Sequence, residues 1–265
     1  MGTPIEIQQD GHVRTLILNR VEKKNAINSE LAWGVIDAVE SATRDDDTWV
    51  IAITGTGDSF CAGVDLTGGG PNASPLTRQT SQLDDIGWVG RFLLTLRTAC
   101  DKPLVAGING VAVGAGLSLA MAADIRLIER SARLMAGYPR IGGSPDGGLT
   151  FTLAQALGYE QAMRFLLENR TVLGEEAVSM GLAGEVVDDG QMRTRLSEYC
   201  QMLTERSPLT MRLTKRGLER ATRSIDLEAH LRFELANIQR AFRSEDGIEA
   251  RKAFLAKRPP IFHGR

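Results

Sequence analysis

The segment "PLVAGINGVAVGAGLSLAMAA", residues 103–123, carries no charged side chain. As one helix it would reach across a bilayer, which takes roughly 20 apolar residues. Its residues argue for something else. It starts at Pro103, contains Asn109, and is broken by Gly107, Gly110, Gly114 and Gly116. That pattern predicts a strand, a glycine turn and a short helix of small residues, all buried in a water-soluble domain. A second unit of this kind lies upstream. "WVIAITG", 49–55, is apolar enough for a strand covered on both faces, and it runs into the glycine turn of "ITGTGDSFCAGVDL", 53–66.

The remaining elements fit around these two. "IEIQQ" and "HVRTLILN" joined by Asp10-Gly11 predict a hairpin, and "NSELAWGVIDAVESATRDDD" predicts a helix with Ser29 as its cap. A helix is expected from about 83 to 99, and "DIRLIE" and "ARLMAG" read as further strands. Such alternation predicts an α/β domain with parallel pairing. After about residue 190 only amphipathic helices follow, so the chain divides into a core, 1–190, and a helical region, 191–265, suited to covering the core or another subunit.

Composition narrows the function classes. The net charge of −2 offers no basic excess for nucleic acid. Cys61, Cys100 and Cys200 are too widely spaced for a disulfide framework or a zinc motif. The first residues, "MGTPIEIQQDGHV", lack the charged and apolar regions of a secretory signal, so a cytoplasmic protein is expected, with no membrane span.

Several chemical motifs fail on inspection. "GAGLSL" has two of the three dinucleotide-binding glycines, and no acid stands about 20 residues further on. "GLSLA" lacks the second glycine of a nucleophile elbow, and His12, His230 and His263 are remote from Ser118 and from metal-ligand spacing. Two features survive. The two glycine turns each offer a free main-chain N–H, and two such groups aimed at one point would stabilise a developing oxyanion. In "RIGGSPDGGLTF", 140–151, Asp146 is either the cap of the helix that follows or a working carboxylate.

"FCAGVDL", "INGVAVGAGLSLAMAADIRL", "LNRVEKKNAIN" and "FLAKRPPIFHGR" resemble, in order along nearly the whole chain, motifs of the crotonase, or enoyl-CoA hydratase/isomerase, superfamily. The resemblance implies a spiral of ββα units, C-terminal helices that build a homotrimer or a dimer of trimers, and an acyl-CoA thioester as substrate. Coenzyme A is then part of the substrate, with no separate cofactor and no metal. Carried over by position, the oxyanion N–H groups are those of Val64 and Ala115. Ala62, Asp65 and Leu66 fall beside the adenine, Lys24 beside the CoA phosphates, and Phe262 at a C-terminal aromatic that often reaches a neighbouring subunit's CoA.

The chain departs from the hydratase pattern at both catalytic glutamates. Ser118 stands at one position and Arg140, in "YPRIG" with Tyr138, at the other. These three residues are expected to line the pocket. A serine and an arginine do not make an acid–base pair near neutral pH. The segment around Asp146 resembles the I-G-x-x-P-D-x-G stretch of family isomerases, which implies that Asp146 moves a proton between carbons of an enoyl-CoA. The alternatives are a hydratase, hydrolase or dehalogenase using the same aspartate, and a silent acyl-CoA-binding protein. The segment 67–82 and the helix after it are expected to shape the acyl pocket.

Overall fold

The computed structural model describes residues 3–67, 78–223 and 225–265. Most of the segment expected to shape the acyl pocket lies outside the described residues. Within them the strands are β1 (Ile5–Asp10), β2 (Val13–Leu18), β3 (Val50–Gly55), β4 (Ser59–Cys61), β5 (Leu104–Ile108), β6 (Val111–Val113), β7 (Ile125–Glu129), β8 (Arg133–Met135), β9 (Val172–Leu173) and β10 (Glu185–Val187). One sheet has the order β1-β2-β3-β5-β7-β10 and the other β4-β6-β8-β9. The β1–β2 hairpin is antiparallel, with Asp10 opposite Val13, and β2, β3, β5, β7 and β10 run parallel.

Strand β3 shows why its sequence lacks polar–apolar alternation. Ile51 and Ile53 enter the main core, whereas Val50 and Ala52 enter a second core on the opposite face. Successive strand residues face opposite ways, so a strand covered on both sides must be apolar throughout. Helix α1 (Ser29–Arg44) covers one face with Leu31, Val35, Val39 and Ala42. Its cap is Asn28, whose side chain accepts from the Leu31 N–H at 2.9 Å, rather than the expected Ser29. Emptying this core is costly: Ile53→Ala removes a fully buried side chain, a change worth about 2–5 kcal/mol.

The helix expected over 83–99 is divided. α2 (Arg78–Gln82) is separate, α3 (Gly87–Leu93) starts at a glycine with φ of +67°, and residues 94–99 continue as a wider π-type helix. Next come α4 (Ala115–Ala122), α5 (Tyr138–Ile141), α6 (Leu149–Leu157), α7 (Tyr159–Glu168) and α8 (Gly174–Met180). Of the C-terminal helices, α9 (Met192–Thr204) packs on β3 and β5 and contributes Met192, Leu196 and Cys200 to the second core. Beyond it, α10 (Pro208–Ala221) leads to α11 (Leu227–Arg243) and α12 (Glu245–Leu255). No helix among the described residues is long and apolar enough to cross a membrane.

Two asparagines tie the loops at the carboxyl ends of the strands. Asn25 accepts from the Arg20 N–H and donates to the carbonyls of Thr56 and Ser59. Asn109 accepts from the Gly55 N–H at 3.1 Å and donates to the Gly57 carbonyl at 3.0 Å. These bonds supply partners for main-chain groups that would otherwise be orphaned at the ends of the sheet.

Candidate active site

The turn after β4 and the turn before α4 lie against each other. At Gly63, with φ of +96°, a side-chain carbon would sit 2.9 Å from the Val113 carbonyl oxygen and 3.9 Å from the Ala115 nitrogen. At Gly116 such a carbon would meet the Cys61 carbonyl oxygen at 2.2 Å. Only glycine permits backbone to approach backbone this closely. A bridge between Ile27 and Val64 holds the first turn: Ile27 N–H donates to Gly63 O at 2.7 Å and Asp65 N–H to Ile27 O at 2.9 Å. Those bonds use the groups on either side of Val64. The Val64 N–H has no hydrogen-bond partner among the described residues, and Ala115 N–H is the first donor of α4, where a helix leaves its N–H groups unpaired.

Asp65 fixes this turn from behind. Its carboxylate accepts from Thr67 Oγ1 at 2.7 Å, Thr67 N–H at 3.0 Å and Arg20 Nη2 at 2.9 Å. The Thr67 hydroxyl, then the Arg20 guanidinium, hold its carboxyl well below the usual carboxylate range. Arg20 also donates to the Ala26 carbonyl. The Asp65 side chain and N–H are therefore spent within the protein, and its main-chain carbonyl remains for a ligand. Leu66 beside it is 72% exposed. Ala62 N–H donates to the Lys24 carbonyl, while the exposed Lys24 side chain lines a cleft of about 610 Å³ with Asn109, Arg133 and Arg193.

Asp146 does not cap a helix. Gly148 occupies the cap of α6 with no side-chain bond, and the Asp146 carboxylate instead accepts from the Tyr138 hydroxyl at 2.7 Å. Its neighbours show why two glycines follow. A side-chain carbon at Gly147 would lie 2.7 Å from Val89 and 2.9 Å from Ser118, and one at Gly148 would lie 2.2 Å from Leu93. The turn is pressed between α3 and α4, with φ of +60° and +75° at the two glycines. Asp146 itself is exposed, and its Oδ2 makes no hydrogen bond or ion pair among the described residues. Tyr138 is buried, and burial, seconded by the neighbouring carboxylate, pushes its phenol well above the ordinary range. It stays a protonated donor.

Ser118 and Arg140, at the positions of the absent glutamates, part company. Ser118 is 2% exposed in the first turns of α4. Its hydroxyl carries one hydrogen and has two main-chain carbonyls in reach, that of Asp146 at 3.0 Å and that of Gly114 at 3.2 Å. Arg140 is exposed on α5, and its side chain makes no hydrogen bond or ion pair among the described residues. Arg140 therefore stands at the surface, apart from the buried Ser118 and Tyr138.

Phe262 is also elsewhere in its own chain. It packs on the second core, and a side-chain carbon at Gly264, two residues on, would lie 3.7 Å from Trp49 Nε1, just ahead of β3. The paired turns follow the other end of that strand, and six residues of strand span roughly 20 Å. The tail is pinned there: Asp246 accepts from His263 N–H at 2.8 Å and Gly264 N–H at 2.9 Å.

A family model described as enoyl-CoA hydratase/isomerase matches residues 8–265. The chain belongs to the enoyl-CoA hydratase/isomerase family. It is similar to the 1,2-epoxyphenylacetyl-CoA isomerase of Escherichia coli, with 33% identity over 96% of this chain and 95% of that one. It is also similar to the short-chain-enoyl-CoA hydratase of Clostridium acetobutylicum, with 26% identity over 95% and 94%. Among solved structures, an enoyl-CoA hydratase from a Polaromonas species superposes with a TM-score of 0.88, at 28% identity and 98% and 99% coverage. An enoyl-CoA hydratase from Bacillus anthracis gives 0.87, at 25% identity and 99% and 100% coverage. The crotonase-type α/β fold expected from the motifs is thus present along the whole chain. Members of the hydratase/isomerase family similar to this chain carry both reaction names.

Two features of the site were missed in the sequence. Arg20 clamps Asp65, and the signal was available as opposite charges in "LNR" and "GVDL". The Tyr138–Asp146 bond had no such signal, because it depends on how the short α5 turns.

Proposed function

We propose that this hydratase/isomerase family member moves a double bond in an enoyl-CoA or cyclic-enoyl-CoA thioester, with Asp146 as the proton carrier. The observation that carries this reading is the unequal fate of the acid positions. The Asp146 carboxylate keeps one oxygen open, the Ser118 hydroxyl is committed to carbonyls, and Arg140 is a surface cation. In the first step Asp146 removes a proton from the acyl chain. The electron pair moves toward the thioester carbonyl and forms an enolate, whose oxygen accepts from the Val64 and Ala115 N–H groups. In the second step Asp146 returns the proton two carbons along, the double bond shifts, and the thioester is restored. No atom is gained or lost. One carboxylate suffices for this sequence, whereas adding water calls for a second group to activate it.

In this reading the adenine lies along the main chain of Ala62, Asp65 and Leu66, and Lys24 lies near the phosphates. Phe262 reaches a CoA only across a subunit boundary. The core of residues 1–190 does the chemistry and the helices of 191–265 build a trimer or a pair of trimers. In support, α11 buries no residue and exposes Leu231, Leu235, Ile238 and Phe242 along one face. Such a protein would work in the cytoplasm.

The hydratase names of several relatives make hydration by the same aspartate the second reading. Incubation with a panel of 2-enoyl-, 3-enoyl- and aryl-CoA thioesters, followed by mass analysis of the products, separates the two. Isomerisation leaves the mass unchanged. A product heavier by one water establishes hydration, and no turnover of any member leaves a binding protein.

A further inference from the structure

The Tyr138 side chain touches both halves of the site. Its hydroxyl is 2.7 Å from Asp146 Oδ1 and 3.4 Å from Ser118 Oγ. The carbon bearing that hydroxyl lies 4.0 Å from where a side chain at Gly114 would begin, so the ring stands against the turn that presents Ala115 N–H. The ring is held by its own element. α5 starts at Gly137, whose N–H donates to Asn169 Oδ1 at 2.7 Å, and has Pro139 in its first turn. Tyr138 thus spans the distance between the oxyanion turn and the carboxylate.

We propose that Tyr138 is the positioning residue for Asp146: it occupies Oδ1 and leaves Oδ2 as the single oxygen that removes and returns the proton. This rests on the reading of Asp146 as the proton carrier. An exposed carboxylate on a glycine turn has several rotamers, and a short bond from a buried phenol selects one. A donor to Oδ1 also stabilises the charged carboxylate, the form that acts as base.

No other ionisable group competes for this pair among the described residues. α4 and α6 carry none, Arg91 of α3 pairs with Asp84, and Glu160, Arg164 and Glu168 of α7 pair among themselves. Arg140 of α5 is exposed.

The test compares pH–rate profiles of the full-length wild type, Tyr138→Phe, Ser118→Ala and Asp146→Asn on one isomerised enoyl-CoA. Tyr138→Phe keeps the ring and removes the donor. Its turnover should fall by about 10- to 100-fold, with KM within about two-fold of wild type. The acid limb should move to higher pH, because the lost bond is one made to the charged carboxylate. Ser118→Ala leaves the Oδ1 bond in place and its limb should not move. Site-specific 3-fluorotyrosine at position 138 is a stronger donor of nearly the same shape, and the limb should move to lower pH. If Asp146→Asn is inactive but neither tyrosine change moves the limb, Tyr138 is packing and this inference fails. If Asp146→Asn keeps wild-type turnover, the proposed function fails instead, and Tyr138 has no working carboxylate to position.

Discussion

The Ser118 hydroxyl donates to the main-chain carbonyl of Asp146 across 3.0 Å, joining α4 to the turn that carries Asp146. A neutral serine hydroxyl is too weak a base to activate water near neutral pH, and this one serves as a structural tie. Ser118→Ala should therefore keep turnover within about five-fold of wild type. It should cost about 1 kcal/mol in urea unfolding, the net worth of one hydrogen bond. A loss of turnover on the order of 10²-fold, the scale of a missing acid–base group, would make the serine a working group.

The paired turns give a second prediction. Gly116→Ala places a carbon against the Cys61 carbonyl, which is main chain and does not swing away. It should destabilise the protein by about 3 kcal/mol or more and reduce turnover. Gly217→Ala is the matched control, because that helical glycine has nothing within 4 Å. It should stabilise by about 0.5–1 kcal/mol. Similar melting temperatures for the two variants would mean the turns are not in contact.

The Asp65 clamp predicts a pH effect of defined sign. Its carboxyl has a folded value below the ordinary 3.8, so the clamp's stabilisation is complete above that value and fades as the pH falls beneath it. The urea midpoints of the wild type and Asp65→Asn should differ at neutral pH and converge in acid below about pH 4. A difference that stays constant down to the acid transition would show that the carboxylate charge has no part in holding the turn.

The strands and turns around the site were legible in the sequence, and the site only in part. Glycine-punctuated apolar runs announced β3 and β5 and the turns after them, because close backbone contact leaves no other residue choice at Gly63 and Gly116. The "LNR", "FCAG" and "ING" motifs located those turns on the chain. What a side chain does on arrival depends on three-dimensional neighbours. "SPDGG" suits a helix cap as well as a base, and only the Tyr138 hydroxyl, eight positions upstream, decides how the carboxylate is held. Phe262 and Arg140 were placed by position alone; within one chain Phe262 packs on the second core and Arg140 faces solvent.

Thiol chemistry checks the packing beside the site. Cys61, Cys100 and Cys200 are all buried, and burial pushes the Cys61 and Cys200 thiols up to about 12. A thiol-reactive disulfide reagent near the ordinary thiol pKa of about 8.5 should modify none of the three in the native protein and all three after unfolding. Rapid labelling of Cys61 would mean that the turn after β4 opens to solvent.

The central claim, that Asp146 takes a proton from the acyl chain to form the thioester enolate, is tested most directly by exchange rather than by product. An enoyl-CoA substrate is incubated in deuterated water with the wild type or with Asp146→Asn, and deuterium entering the acyl chain is followed by mass. The wild type should exchange, because the exposed Asp146 carboxyl trades its proton with solvent while the enolate is held. Asp146→Asn should exchange at least about 10²-fold more slowly while still saturating with thioester, the usual scale of a lost general base. Exchange by Asp146→Asn at the wild-type rate would contradict the assignment and return the aspartate to a structural role.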